Sequence, residues 1–146
     1  MNLFFDTSAL VKLFHRETGS DAVETAVLNP ENHIWMLSLC RIEFMSALYR
    51  RFRSGELNAQ QLDEAKNSFD LQLRTFNEQP MTETVLREAE ILFLQWGKSQ
   101  GLRTLDALQL GAFSLLQEKD WMFVCADVKL AAIARNAGFR VLEPID

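Results

Sequence analysis

Cysteine is scarce in this chain of 146 residues: there are two, Cys40 and Cys125, far apart and each inside an apolar stretch. Neither belongs to a CxxC pair, so zinc binding and thiol redox chemistry find little support. Both thiols are expected to be buried as small hydrophobes. No apolar run approaches the roughly 20 residues that a membrane span requires. The start, Met1-Asn2-Leu3-Phe4-Phe5-Asp6, lacks the basic region of a secretion signal. A cytoplasmic protein is the expectation. Low-complexity segments, charged tails, internal repeats, a P-loop and a GxGxxG fingerprint are all missing. So is any excess of positive charge, since the net charge is −5, the opposite of the usual footprint of a nucleic-acid binder. Phosphates respond to local potential, however, and Arg50, Arg51 and Arg53 form one basic run with Arg41 upstream. That run is equally readable as a solvated helix end, where cations are favoured.

Apolar residues make up 48% of the sequence and charged residues 24%, the balance of a soluble globular protein. One domain over residues 1–146 is expected, large enough to bury roughly 70% of its unfolded surface. Pro30, Pro80 and Pro144, the three prolines, all fall at expected connections or strand ends. Asn2 to Asp6 reads as a strand ending in a carboxylate, followed by a helical stripe of Ala9, Leu10, Leu13 and Phe14. Gly19 ends that helix and Ser20 or Asp21 caps the next, which runs to about Leu28. His33 to Leu37 reads as a second strand. Ser38 is placed to cap a helix ending near Arg53, and Ala59 to Asn77 forms another with Leu62, Ala65, Phe69, Leu73 and Phe76 buried. A short strand is expected near Gln79 to Met81. Thr82 and Thr84 precede a helix ending at Gly97, and Thr104 caps one reaching Glu118. Trp121 to Cys125 is a strand, Val128 to Asn136 a helix, and Arg140 to Leu142 a last strand. Phe4, Phe5 and Phe123 belong to the core; Phe69, Phe76 and Trp96 are divided between core and interface.

Short apolar strands alternating with helices make a parallel sheet covered on both faces. Ligands of such sheets bind beyond the carboxyl ends of the strands. Asp6 and Asp127 each follow a strand, while Glu43 and Asp106 lie in the first turns of helices, so all four acids can reach that edge. Taken singly, Asp6 and Asp127 could be helix caps, and Asp106 could complement a helix dipole. Glu43 is harder to explain so, flanked by Ile42, Phe44 and Met45, although a Glu43–Arg50 pair remains open. Together, four acids repel one another and are costly to desolvate. A divalent cation offsets that repulsion, and oxygen-only ligands favour Mg²⁺ or Mn²⁺. Ser8 could support the site beside Asp6 or cap its own helix.

The residues Phe4-Phe5-Asp6-Thr7-Ser8-Ala9-Leu10, Arg41-Ile42-Glu43-Phe44, Leu105-Asp106-Ala107-Leu108-Gln109-Leu110 and Phe123-Val124-Cys125-Ala126-Asp127 occur in that order. In this pattern the chain resembles the PIN-domain family, in particular the VapC-type toxin ribonucleases, over essentially its whole length. The resemblance implies a three-layer α/β/α sandwich with a short central parallel sheet. It also implies Mg²⁺- or Mn²⁺-dependent endonucleolytic cleavage of RNA, a homodimer, and an antitoxin that docks on the toxin. By family pattern Asp6 and Asp106 are the direct metal ligands, with Glu43 and Asp127 completing the site. Gln109 departs from the pattern, since many relatives carry a His there. A PIN nuclease outside a toxin–antitoxin pair, or a non-catalytic binding module, is the alternative; the module should have lost acids, and none is missing. The helices from Ala59 to Gly97 are the expected antitoxin or dimer surface. A dehalogenase-type phosphatase would need an acid where Ser8 stands.

Overall fold

The computed structural model describes residues 1–145. Strand β1 (Asn2–Phe5) is the centre of the sheet, and its residues Leu3, Phe4 and Phe5 are buried. A strand buried on both faces needs apolar side chains at successive positions, which explains the unbroken Leu-Phe-Phe run. It pairs in parallel with β2 (His33–Leu37) on one side and β4 (Trp121–Val124) on the other. The edges are β3 (Asn77–Gln79) and β5 (Val141–Leu142), giving the order β3-β2-β1-β4-β5 with all pairs parallel. The chain moves outward from β1 through β2 to β3, then crosses to β4 on the far side of β1. Strand order therefore reverses between β1 and β4, and a crevice opens at their carboxyl ends.

Successive side chains of a strand point to opposite faces, and this alternation splits the interior in two. Leu3 and Phe5 face a core shared with α1 (Thr7–Leu10), α2 (Ser20–Leu28), α3 (Leu39–Arg53) and α4 (Ala59–Leu73). Its centre is aromatic, with the Phe44 and Phe69 rings stacked at 3.8 Å and Phe14 edge-on to both. Phe4 faces the other core, with α5 (Glu83–Trp96), α6 (Thr104–Leu116) and α7 (Val128–Asn136). There α5 and α6 pack closely at Gly111, where a Cβ would come within 3.1 Å of the Ala89 backbone nitrogen. The result is the expected α/β/α sandwich. Among the described residues no helix is long and apolar enough to cross a membrane.

Several local expectations differ from the structure, and the differences share a cause. Ser20 and Thr104 open their helices without capping them, and Ser38 stands at the N-cap of α3 but gives it no side-chain hydrogen bond. The Ser20 hydroxyl accepts from the Glu17 backbone N–H, and that of Ser38 from the Met81 N–H, while α6 begins at Thr104 itself with Arg103 as its cap. Small hydroxyls serve any nearby backbone donor, and tertiary neighbours decide which. Thr82 does cap α5, but Thr84 lies within it. Helix α4 ends at Leu73 rather than Asn77, because the chain turns through Thr75 and Phe76 to enter β3, which runs Asn77–Gln79 instead of Gln79–Met81. Phe69 is buried, whereas Phe76 and Trp96 are half-buried.

Candidate active site

Beyond the carboxyl ends of β1 and β4 lies a cleft of about 490 Å³ whose walls include Asp6, Glu43, Asp106 and Asp127. All four sequence-predicted acids thus meet in one concavity, together with Ser8, Thr7, Arg50, Arg51, Arg103 and Gln109. The alternative left open for Glu43, a pair with Arg50, is not formed: Glu43 is held instead by Thr7 and Gln109.

Asp6 directly follows β1 and is 3% exposed. One carboxylate oxygen, Oδ1, accepts from the Ala9 backbone N–H at 3.0 Å, so the capping role and a place in the cleft coincide. Ser8 Oγ donates to Asp6 at 2.7 Å, and the Cys125 thiol donates to Asp6 Oδ2 at 3.2 Å. Ser8 also accepts from the Ala126 N–H at 3.0 Å. The Ser8 hydroxyl therefore ties the end of β1 to the segment after β4, at the point where the crevice opens. Burial pushes the Asp6 carboxyl up to about 6 from its ordinary value of 3.8, against the lowering effect of Ser8, Ala9 and Cys125; the Asp106 charge adds to the rise.

Glu43 stands in the second turn of α3 and points back across α1. Thr7 Oγ1 and Gln109 Nε2 both donate to its Oε1 at 2.8 Å. Behind them the Cys40 sulfur lies 3.2 Å from Thr7 Oγ1 and accepts from Gln109 Nε2 at 3.3 Å. Burial pushes the Cys40 thiol up to about 12, and burial likewise raises that of Cys125, so both stay protonated at neutral pH. The cysteines are buried, as composition suggested, but each also touches a site group.

Asp106 and Asp127 form the outer side. Asp127 is the N-cap of α7, its Oδ1 accepting from the Lys129 and Leu130 N–H groups. Its Oδ2 accepts from Arg103 at 3.0 Å, and Arg103 also donates to Asp106 Oδ2 at 2.9 Å. One guanidinium therefore bridges two carboxylates, which hold its pKa above the ordinary value. Among the described residues no three His, Cys, Asp or Glu side chains come close enough together to cage a metal ion.

Of the basic residues, Arg50 and Arg51 in the last turn of α3 line the cleft. Arg41 does not, being paired with Glu78 through two hydrogen bonds of 2.8 and 2.7 Å. Arg103, Thr7, Gln109 and the two cysteines are contacts that sequence reasoning did not assign to the site. Two signals were available: Arg103 lies three residues before Asp106, within helical reach, and Gln109 lies one turn beyond it.

The PIN domain family model matches residues 3–142. No curated protein matches the chain significantly. Among solved structures, FitAcB from Neisseria gonorrhoeae superposes with a TM-score of 0.72 at 12% identity, covering 97% of each chain. VapC20 of Mycobacterium tuberculosis, described as a sarcin-ricin loop cleaving toxin, superposes at 0.70 with 14% identity, covering 97% of this chain and 99% of its own. A toxin–antitoxin complex from Klebsiella pneumoniae gives 0.64 at 19% identity, covering 99% and 98%. At such identities the likeness establishes the fold.

Proposed function

This chain belongs to the PIN domain family, and on that premise we propose that it is a Mg²⁺- or Mn²⁺-dependent endoribonuclease, the toxin of a type II toxin–antitoxin pair acting in the cytoplasm. The observation that carries the reading is the convergence of Asp6, Glu43, Asp106 and Asp127 on one cleft at the switch point of a parallel sheet. A hard divalent cation fits this donor set. The lining offers carboxylate oxygens and no histidine, and the nearby thiols are held protonated. The want of a ready cage also fits, because Mg²⁺ is usually bound through one or two carboxylates together with waters and substrate phosphate.

In this reading Asp6 and Asp106 hold the cation, with Glu43 and Asp127 completing the site. When bound, such a cation supplies a polarised water and neutralises charge on a phosphodiester. Ser8 keeps Asp6 oriented. Arg50 gives the cleft a positive group against which an RNA backbone can lie, despite the net charge of −5, while Arg51 beside it is already within 4.0 Å of Glu17 and Glu56.

A protein partner is part of the same reading. FitAcB aside, VapBC structures from Rickettsia felis and Salmonella typhimurium, described as bound to DNA, share this fold. We assign the antitoxin or homodimer surface to α4 and α5, where Leu71, Leu86, Ile91, Phe93 and Leu94 stay exposed. Hydrogen exchange on a complex should show protection there, and protection confined to other elements overturns that assignment.

The central test is direct. Purified protein should cut RNA with Mg²⁺ or Mn²⁺ and stop with EDTA. Asp6→Asn and Asp106→Asn should abolish cleavage while circular dichroism shows a folded chain. Cleavage retained by both folded variants refutes the assignment.

A further inference from the structure

Gln109 is a buried polar residue of the cleft that the proposed chemistry leaves without a task. It is 3% exposed, in the middle of α6, one turn beyond Asp106. Its Nε2 donates to Glu43 Oε1 at 2.8 Å, and further contacts to Thr7 Oγ1 and Cys40 lie at 3.1 and 3.3 Å. Its own carbonyl oxygen, Oε1, is buried and has no donor among the described residues.

That combination is informative. A buried carbonyl without a donor costs stability and offsets what the amide's bond to Glu43 contributes, so an apolar side chain of similar volume would cost the fold little. Turning the amide over would not help, because the carbonyl would then face the Glu43 carboxylate. The amide is thus oriented by Glu43. Thr7 reaches the same Oε1 at 2.8 Å, whereas Oε2 of Glu43 has no hydrogen bond among the described residues. Two neutral donors converge on one oxygen and leave its twin available in the cleft.

We infer that Gln109 and Thr7 are a positioning pair, which clamps Glu43 Oε1 so that Oε2 is presented to a divalent cation or its water. Through Gln109, helix α6 then places two acids at once: Asp106 directly and Glu43 across the crevice. This rests on the metal-nuclease reading above and deepens it. Groups that orient a ligand in this manner commonly change metal affinity when removed.

The test compares Mn²⁺ affinity, read by electron paramagnetic resonance of the free ion, with the melting temperature of the metal-free chain. Gln109→Met should weaken Mn²⁺ binding about tenfold while leaving the melting temperature little changed. Gln109→His keeps a ring N–H able to donate to the same oxygen and should hold affinity within about threefold, as a restored donor predicts. Thr7→Val should weaken binding in the same direction as Gln109→Met. Unchanged Mn²⁺ affinity in both Gln109→Met and Thr7→Val overturns the positioning role. So does a loss of affinity that only accompanies a lowered melting temperature, the mark of a merely structural residue. If the wild-type chain binds no Mn²⁺, the nuclease reading itself falls and the positioning role falls with it, an outcome distinct from the other two.

Discussion

Asp6 and Glu43, on the inner side of the cleft, are held by neutral donors: Ser8, Ala9 and Cys125 for one, Thr7 and Gln109 for the other. Asp106 and Asp127, on the outer side, share the guanidinium of Arg103, whose side chain is 70% exposed. The same difficulty, crowded negative charge, is met by neutral hydrogen-bond donors on one side and by an exposed counter-ion on the other. Inner groups are fixed by the fold, because their donors sit on packed elements. The outer pair is held by a surface side chain that solvent and salt can replace.

This contrast makes its strongest prediction at Asp6. Ionising a buried carboxylate costs free energy, and its folded-state value of about 6 lies above the ordinary 3.8. Asp6→Asn removes the ionisation and keeps a good cap, so the metal-free chain should gain about 2 kcal/mol at pH 7 by urea unfolding. Asp106→Asn should change stability by less than about 0.5 kcal/mol, as expected of a surface substitution. Equal effects of the two would erase the distinction between inner and outer acids.

A pH titration sharpens the same point. A group whose pKa is raised on folding contributes stability that is complete below its unfolded value and is lost as the pH rises through its folded value. For Asp6 the window lies between roughly pH 4 and pH 6 to 7, and the loss is on the order of 2–3 kcal/mol in the metal-free chain. Saturating Mn²⁺ should flatten that decline in wild type, since a bound cation favours the ionised form. Asp6→Asn should show no such decline.

On the outer side, Arg103→Ala takes away a cation that contacts both acids. Mn²⁺ should then bind about threefold to tenfold more tightly at low ionic strength, the gain shrinking in high salt. Affinity that is unchanged or weaker in Arg103→Ala would show that the guanidinium does not compete with metal. The smallest effect is expected away from the cleft. Arg41 and Glu78 make a well-formed pair, yet Arg41→Ala should cost no more than about 1 kcal/mol and leave RNA cleavage unaltered. A large loss of cleavage there would extend the functional surface past the cleft.

Much of the architecture was legible because it rests on local pattern. The unbroken apolar run of β1 and the stop of α5 at Gly97 report nearest-neighbour physics, whereas the first helix closes at Leu10 with a 3₁₀ turn to Leu13 instead of reaching Gly19. The four acids were legible for a related reason: each follows a strand or opens a helix, and the carboxyl edge of a parallel sheet gathers such positions. Hydroxyl caps were less legible. Ser38 turned to Met81, 43 residues away, which no local rule anticipates.

What the sequence determined by itself, then, was the alternation of strands and helices, the two-sided burial of β1, and the identity of the acids that the edge would collect. What only the tertiary structure decided was which groups hold those acids. Glu43 and Gln109 are 66 residues apart, and Asp6 and Cys125 are 119 apart. Hydrogen bonds are directional and short, so their partners are chosen by the packing of whole helices on the sheet. Periodicity says which face a residue occupies; only the assembled layers set the distances at which one carboxylate meets a neutral amide and another a guanidinium.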